Sequence, residues 1–511
     1  MKLVKSLLLG SAAGLIAVGG AQAADLPVKA KAVEYVKICS LYGAGFYYMP
    51  GTDTCIKFGG YVRADYWGMG GDYGFNASSG TGNQGSNNRL TNYWGQRSRM
   101  DFTVDTRTAT EYGVVRTFAD MVFTVDSAAP NTGGAAGLGL YHAFIQFAGF
   151  TFGRTVSIFD MPWTGYPAGG PDTVPGGSNH VTGVNQVAYT ADFGQGITGS
   201  VALEEPTTAL NGQAYLFNAN GFAASAAANT AGGVTVTPAA NVAGAALVQG
   251  LYGTPAWGGA RSPDIVGQVR VDQAWGLFQF GATLHELHAA YYGTTEPSGH
   301  PSDVWGWAVQ AGLSIKNVPT GAGDSINLQA VYADGDTHAV FGNVAWPQAW
   351  SMYSGTGVAG AYQSVGFASL SDGVFGTATG ISKTQSWGFR GGYTHNWNPY
   401  WASGLYGGYA QVKYGTVASG LICANFNALW AATATCNPDF NFAVIGVNTV
   451  WTPVKNLAFT ADISYSRLDQ KYSGTIAGPS TAVAGFAKPA ATYELKDQNS
   501  LSLLLRAQRN F

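Results

Sequence analysis

The sequence predicts an all-β fold, a 16-stranded antiparallel transmembrane β-barrel with short periplasmic turns and long extracellular loops. Three observations carry that expectation. Only 11% of the 511 residues are charged, against about 25% in a soluble domain. Beyond the N-terminus no stretch of about 18 apolar residues exists, so no spanning helix is available. What remains is a long series of segments that alternate apolar and polar residues with period two, the signature of strands with one dry and one wet face.

The composition narrows the function classes. Aromatics make up 13% of the chain, which argues against disorder. The 72 glycines follow no period of three, which excludes collagen. A net charge of -3 and a pI near 6.2 argue against a nucleic-acid partner, which calls for a basic face.

At the N-terminus, two lysines within Met1–Lys5 precede an uncharged apolar run from Leu7 to Ala21 and an A-x-A site at Ala21-Gln22-Ala23. This is the pattern of a secretory signal peptide over residues 1–23. Its removal leaves 24 basic and 29 acidic residues, net -5. Residues 24–57 then form a periplasmic N-terminal segment and 58–511 a single barrel. Export also accounts for the four cysteines. Cys39 and Cys55 lie close in sequence, as do Cys423 and Cys436, which predicts two local disulfides. A zinc site is disfavoured, because there is no C-x-x-C and no His near either pair.

The expected strands are 58–67, 94–106, 111–124, 140–148, 150–157, 183–192, 197–204, 263–273, 276–286, 303–316, 324–333, 386–397, 400–413, 439–452, 457–467 and 498–511. In the second, Arg97, Arg99, Asp101, Thr103, Asp105 and Arg107 share one face, while Met100, Phe102 and Val104 share the other. In the eighth, Ile265, Gly267, Val269 and Val271 alternate with Asp264, Gln268, Arg270 and Asp272, and Val266 is the apolar exception on the polar side. Connections after even-numbered segments are short and those after odd-numbered ones mostly long, as outer-membrane barrels require. Tyr66-Trp67, Tyr93-Trp94, Trp387, Trp397, Tyr400-Trp401 and Trp451 sit at segment ends, where interfacial girdles belong. The loops at 206–260 and 337–371 are uncharged, and their role is left open. The final segment places Leu501, Leu503, Leu505 and Ala507 on one face and ends at Phe511, a terminal aromatic typical of this class of barrel.

The stretch Ile38-Cys39-Ser40-Leu41-Tyr42-Gly43-Ala44-Gly45-Phe46-Tyr47-Tyr48 through Cys55-Ile56-Lys57-Phe58-Gly59-Gly60-Tyr61-Val62-Arg63 resembles the entry into the first strand of the alphaproteobacterial porin family, as does Ala24-Asp25-Leu26-Pro27-Val28-Lys29. The resemblance covers essentially the whole mature chain. It implies a trimeric, passive outer-membrane porin of sixteen strands, with the third loop folded into the channel. The uncharged loops depart from the family pattern.

In this reading the partners are outer-membrane lipid and lipopolysaccharide, further copies of the chain in a homotrimer, and small polar solutes in transit. No cofactor, metal or nucleic acid is expected. The candidate constriction is the third long connection, about Ser157–Thr182, with Asp160 and Asp172 and neither Lys nor Arg. Arg63, Arg97, Arg99 and Arg116 of the early strands are expected opposite it, giving a transverse field that favours dipolar solutes. A plainer expectation is that these arginines pair with Asp65, Asp101, Asp105 and Asp120 on their own wall. No catalytic centre is expected. His285-Glu286-Leu287-His288 has the wrong spacing for a zinc helix, and there is no G-x-S-x-G or P-loop. An energy-coupled transporter is disfavoured, because residues 24–57 are too few for a plug. The remaining alternative is a secreted all-β binding protein, a lectin or adhesin, whose dry faces would point inward.

Overall fold

The computed structural model describes residues 37–69, 89, 94–127, 135–170, 174–207, 214–220, 246–247, 250, 252–342, 349–430, 434–483 and 486–511. The signal peptide expected at 1–23, Asp172, and large parts of the 206–260 loop lie outside the described residues.

Alternating sequence becomes barrel wall. The strands are β1 (Cys55–Met69), β2 (Trp94–Thr110), β3 (Gly113–Asp126), β4 (Ala135–Phe147), β5 (Phe150–Thr155), β6 (Val184–Asp192), β7 (Ile197–Glu204) and β8 (Asp264–Gln273). They continue with β9 (Gly276–Leu287), β10 (Val304–Lys316), β11 (Ser325–Asp334), β12 (Ser382–Asn398), β13 (Trp401–Tyr414), β14 (Phe440–Val454), β15 (Leu457–Gln470) and β16 (Gln498–Asn510). Each pairs antiparallel with the next. β16 returns to β1 with Arg506 opposite Asp65, so the sheet closes and no edge is left. All sixteen expected segments are strands, with ends displaced by a few residues. β1, for example, begins at Cys55 because Tyr47–Tyr48 and the Cys39–Cys55 bridge extend its pairing.

The turns are as tight as the sequence implied. Between β4 and β5, Ala148 and Gly149 both have positive φ, 49° and 85°. That is the backbone of a two-residue turn whose twist matches the strands it joins.

The two faces are inverted relative to a soluble barrel. Along β15, Ile463 and Tyr465 are 46% and 40% exposed, while Asp462, Ser464 and Ser466 are buried at 0–1%. Phe278 and Phe280 of β9 point outward and Gln279 between them inward. Trp401, Trp451 and Phe459 stack along one rim, with ring centroids 5.9 and 5.5 Å apart. An outward apolar band with rim aromatics is what acyl chains require.

The long loops are not loose above this wall. We number the outer loops so that L3 is 156–183, L4 is 205–263, L6 is 335–381, L7 is 415–439 and L8 is 471–497. L6 contributes α1 (His338–Phe341), and L7 contributes α2 (Thr416–Leu429), whose Cys423 is bonded to Cys436. A four-stranded sheet of Ala349–Ser354, Ala361–Ser369, Ala491–Leu495 and Gly474–Gly478 joins L6 to L8. Trp350, Phe341, Phe367, Tyr252, Phe426 and Trp430 of these loops pack on lumenal Val331, Ala333, Ala410, Val412, Phe440 and Phe442 of the strands. Apart from an exposed stretch at 355–362, the described parts of the uncharged loops are therefore largely core material. With no charge to keep wet, they bury apolar area against one side of the barrel mouth.

Candidate functional site

L3 enters the barrel and lies flat against the wall formed by β8 to β14. Glycines facing the lumen make this possible. A Cβ on Gly408 would sit 2.2 Å from the Pro175 carbonyl oxygen, one on Gly392 2.7 Å from the Ala168 nitrogen, and one on Gly312 2.3 Å from the Met161 sulfur. Gly388 and Gly404 meet Gly176 and Ala168 in the same way. Only hydrogen leaves room for a loop backbone against a strand.

A ladder of donors, uncharged except for Arg390, then takes up the loop's carbonyl groups, strand by strand. Gln268 of β8 donates to the Ile158 carbonyl at 2.7 Å, and Gln279 of β9 to Asp160 O at 2.8 Å. Gln310 of β10 donates to Phe159 O, and Asn327 of β11 to Pro167 O at 2.6 Å. Arg390 of β12, only 1% exposed, donates to the carbonyls of Val174 (3.2 Å), Gly177 (3.0 Å) and Ser178 (2.6 Å) and to Gln329 Oε1 (2.9 Å). From the other side, the Val340 carbonyl in α1 accepts from the amides of Gly176 and Gly177 at 2.8 and 3.0 Å. Buried carbonyls must find partners, and here the wall supplies them.

Across the lumen, β16 and β1 to β3 carry the charge. Arg63 pairs with Asp65 at 3.2 Å, and Arg506 reaches the same carboxylate at 2.6 Å. Arg116 and Arg107 share Asp105, each at 3.0 Å, and Arg116 also donates to Gln146. Arg97 pairs with Asp126, and Arg99 donates to Thr124 Oγ1 at 3.1 Å. In register, Arg63 lies directly opposite Arg99, and Arg107 opposite Arg116.

The predicted site residues thus divide. Arg63, Arg97, Arg99 and Arg116 come together on one wall: Arg63 and Arg116 pair with Asp65 and Asp105, which the plainer expectation named, whereas Arg97 pairs with Asp126 and Arg99 donates to Thr124. Asp160 is on L3 but faces away from them. Its carboxylate is fully buried against His180, whose Nδ1 is 2.6 Å away. Asp172 lies outside the described residues. Both expected disulfides are present, with Cα separations of 6.0 and 5.7 Å. His285 and His288 separate as the strand period requires, His285 to Asp264 and His288 to Asp303. The glutamine ladder, Arg390 and Arg506 were not singled out in the sequence. Arg506 alternates with Leu503, Leu505 and Ala507 and was readable as lumenal. The glycines at 388 and 392 and at 404 and 408, two pairs each four residues apart, were the available sign of a loop against the wall.

A closed barrel, greasy outside and polar inside, with a loop strapped across its lumen, describes a channel. A family model described as "Porin subfamily" matches residues 25–504. The chain belongs to this porin family. The porin Omp2b of Brucella abortus (strain 2308) is 33% identical over 365 residues, covering 67% of this chain and 88% of that protein. Omp2b of Brucella melitensis biotype 1 is 32% identical over the same lengths. Among solved structures, the outer-membrane channel DcaP of Acinetobacter baumannii superposes with a TM-score of 0.56 at 16% identity, over 91% of this chain and 99% of that one. That likeness shows the shared fold. This porin is an outer-membrane channel, and its apolar band is the surface that meets lipid.

Proposed function

We propose that solutes cross this porin by an eccentric path, bounded on one side by the arginine–aspartate wall of β16 and β1–β3 and on the other by L3, which exposes Pro162 and Gly169. The carrying observation is that L3 is strapped to β8–β14 and the described parts of L4, L6, L7 and L8 pack above that half, so that among the described residues the charged half is left for water. Small hydrophilic solutes and ions are the cargo, and the protein acts as a passive pore rather than an enzyme. Arg63, Arg97, Arg99 and Arg116 supply the cationic side of the constriction. Asp172 supplies an acid on the loop, and Asp160 acts by holding the loop's shape. The charges of opposite sign act across a narrow, water-filled gap and orient dipolar solutes.

The assembled form is a homotrimer, residues 1–23 are removed on export, and residues 24–57 lie on the periplasmic side. The resemblance of the N-terminal region to the alphaproteobacterial porins supports all three. Chemical cross-linking in mild detergent tests the trimer.

Charge reversal tests the constriction. Arg99→Glu and Asp172→Arg are each expected to shift the reversal potential under a salt gradient in a planar bilayer, in opposite directions. Unchanged reversal potentials in both variants would remove the assignment.

A further inference from the structure

L3 is tied to the wall by amide side chains and by Arg390, and its two ends are tied to each other by charge. Asp160, near the start of the loop, accepts from the His180 ring at 2.6 Å and from the His180 backbone N–H at 2.5 Å. Next to this pair, Glu204 of β7 accepts from the Ser157 hydroxyl at 2.9 Å and the Ile158 amide at 3.2 Å. A small cavity of about 30 Å³ lies beside the ring, lined by Glu204, Asp264 of β8, His285 of β9, and Asp336 and His338 of L6. It has room for one or two waters. The His338 ring is 5.2 Å from the His180 ring, centroid to centroid. From the wall, Arg390 is the further charge that acts on Asp160.

We propose that His180 is the positioning residue of the constriction: it closes L3 into a fixed ring on Asp160, and so sets how far the Pro162–Gly169 segment stands from the arginine wall. This inference rests on the reading of L3 as the constriction. The physical reason is that a carboxylate buried as completely as Asp160 needs a compensating charge. Without His180, Asp160 regains water only by turning toward the lumen, and the loop has to open to let it.

Protonation fixes the range over which the clamp holds. Burial works against the His180 cation, but attraction to Asp160, and then to Glu204 and Asp336, pushes its pKa up to about 9. Burial likewise disfavours the Asp160 charge, yet the attraction and hydrogen bonds of His180 hold its carboxyl below the usual value. The raised His180 contributes fully below the free imidazole value and loses that contribution as pH rises through about 9. The depressed Asp160 contributes above its ordinary value and loses that contribution only as pH falls below it.

The test is single-channel recording on the full-length, assembled porin. The unaltered protein is expected to conduct steadily from about pH 5 to about pH 8 and to show a downward step of roughly two-fold, with added flicker, as pH rises through the His180 value. His180→Gln is expected to show the reduced conductance at neutral pH with no alkaline step. His180→Lys keeps a cation and is expected to restore the higher conductance and move the step to higher pH. Absence of the step in the unaltered protein overturns the inference, even if a variant fails to assemble. So does a His180→Gln channel that keeps both the conductance and the step.

A separate arm checks the underlying reading. All four native cysteines are in disulfides, so Pro162→Cys provides a single thiol at an exposed position of L3. Labelling it with a bulky charged thiol reagent is expected to cut the current. No change there would mean that L3 does not bound the path, whereas a cut combined with an unresponsive His180→Gln would refute only the role of His180.

Discussion

Arg390→Met removes three donors aimed at L3 while keeping nearly the same volume. The guanidinium holds the carbonyls of Val174, Gly177 and Ser178 at 2.6–3.2 Å in a site that water does not reach. A buried carbonyl left without its partner costs about 1–3 kcal/mol. Three of them come to about 4 kcal/mol, even allowing for the relief of no longer burying a cation. That corresponds to roughly a thousand-fold greater local opening of L3. The effect should be confined to L3, because the barrel's own pairing at Arg390, opposite Gly408 of β13 and Gln329 of β11, is made by backbone groups. Hydrogen exchange of the amides at 174–180, followed by mass spectrometry on the detergent-solubilised porin, is the assay. Those amides should exchange far faster, with amides of β12 and β13 unchanged and the channel current noisier. Protection of 174–180 equal to that of the unaltered protein would show that the donors do not hold the loop, and the strapped-loop account would fail.

Two further outcomes follow from the same geometry. Gly408→Val places two methyl groups where the Pro175 carbonyl lies, so L3 must lift off the wall. Overpacking of this kind costs about 1–3 kcal/mol, and thermal unfolding should come earlier while single-channel conductance falls as the loop is pushed toward the arginines. At the turn between β10 and β11, Asp324 is removed from water, which disfavours its charge, yet donors from Thr320, the Asn396 amide, His395 and Tyr393 hold its carboxyl below the ordinary value. A depressed carboxyl stabilises at neutral pH and loses that contribution as pH falls through its folded value. Asp324→Asn should therefore lower the unfolding temperature at neutral pH and flatten its decline in acid, and an unchanged pH dependence would refute the role.

The wall and the loop differ in how much of each was legible beforehand. Strand alternation is a local property with period two. The sequence around Ile463, Ser464, Tyr465 and Ser466 therefore states which face is dry, and it needs only the short-long rhythm of connections to close the barrel. The cysteine pairs were readable for the same reason, because each bridge spans only 16 or 13 residues. Arg63, Arg97, Arg99 and Arg116 were placed on the lumenal face by parity alone.

What parity does not carry is contact between residues far apart in the chain. Asp160 and Asp172 were chosen as acids on a loop with neither Lys nor Arg. Nothing local says that Asp160 would turn to His180, because that choice depends on how the loop's ends meet inside the barrel. The loop at 337–371 read only as uncharged, yet its Trp350 and Phe341 pack on Phe440 some hundred positions later, and only the closed fold brings those surfaces together. The chain's local pattern thus determined a greasy cylinder with a wet interior, since each residue's side of a strand follows from counting. The tertiary structure alone decided against which part of the wall the described loops pack, since loop burial is settled by distant partners rather than by neighbours in sequence.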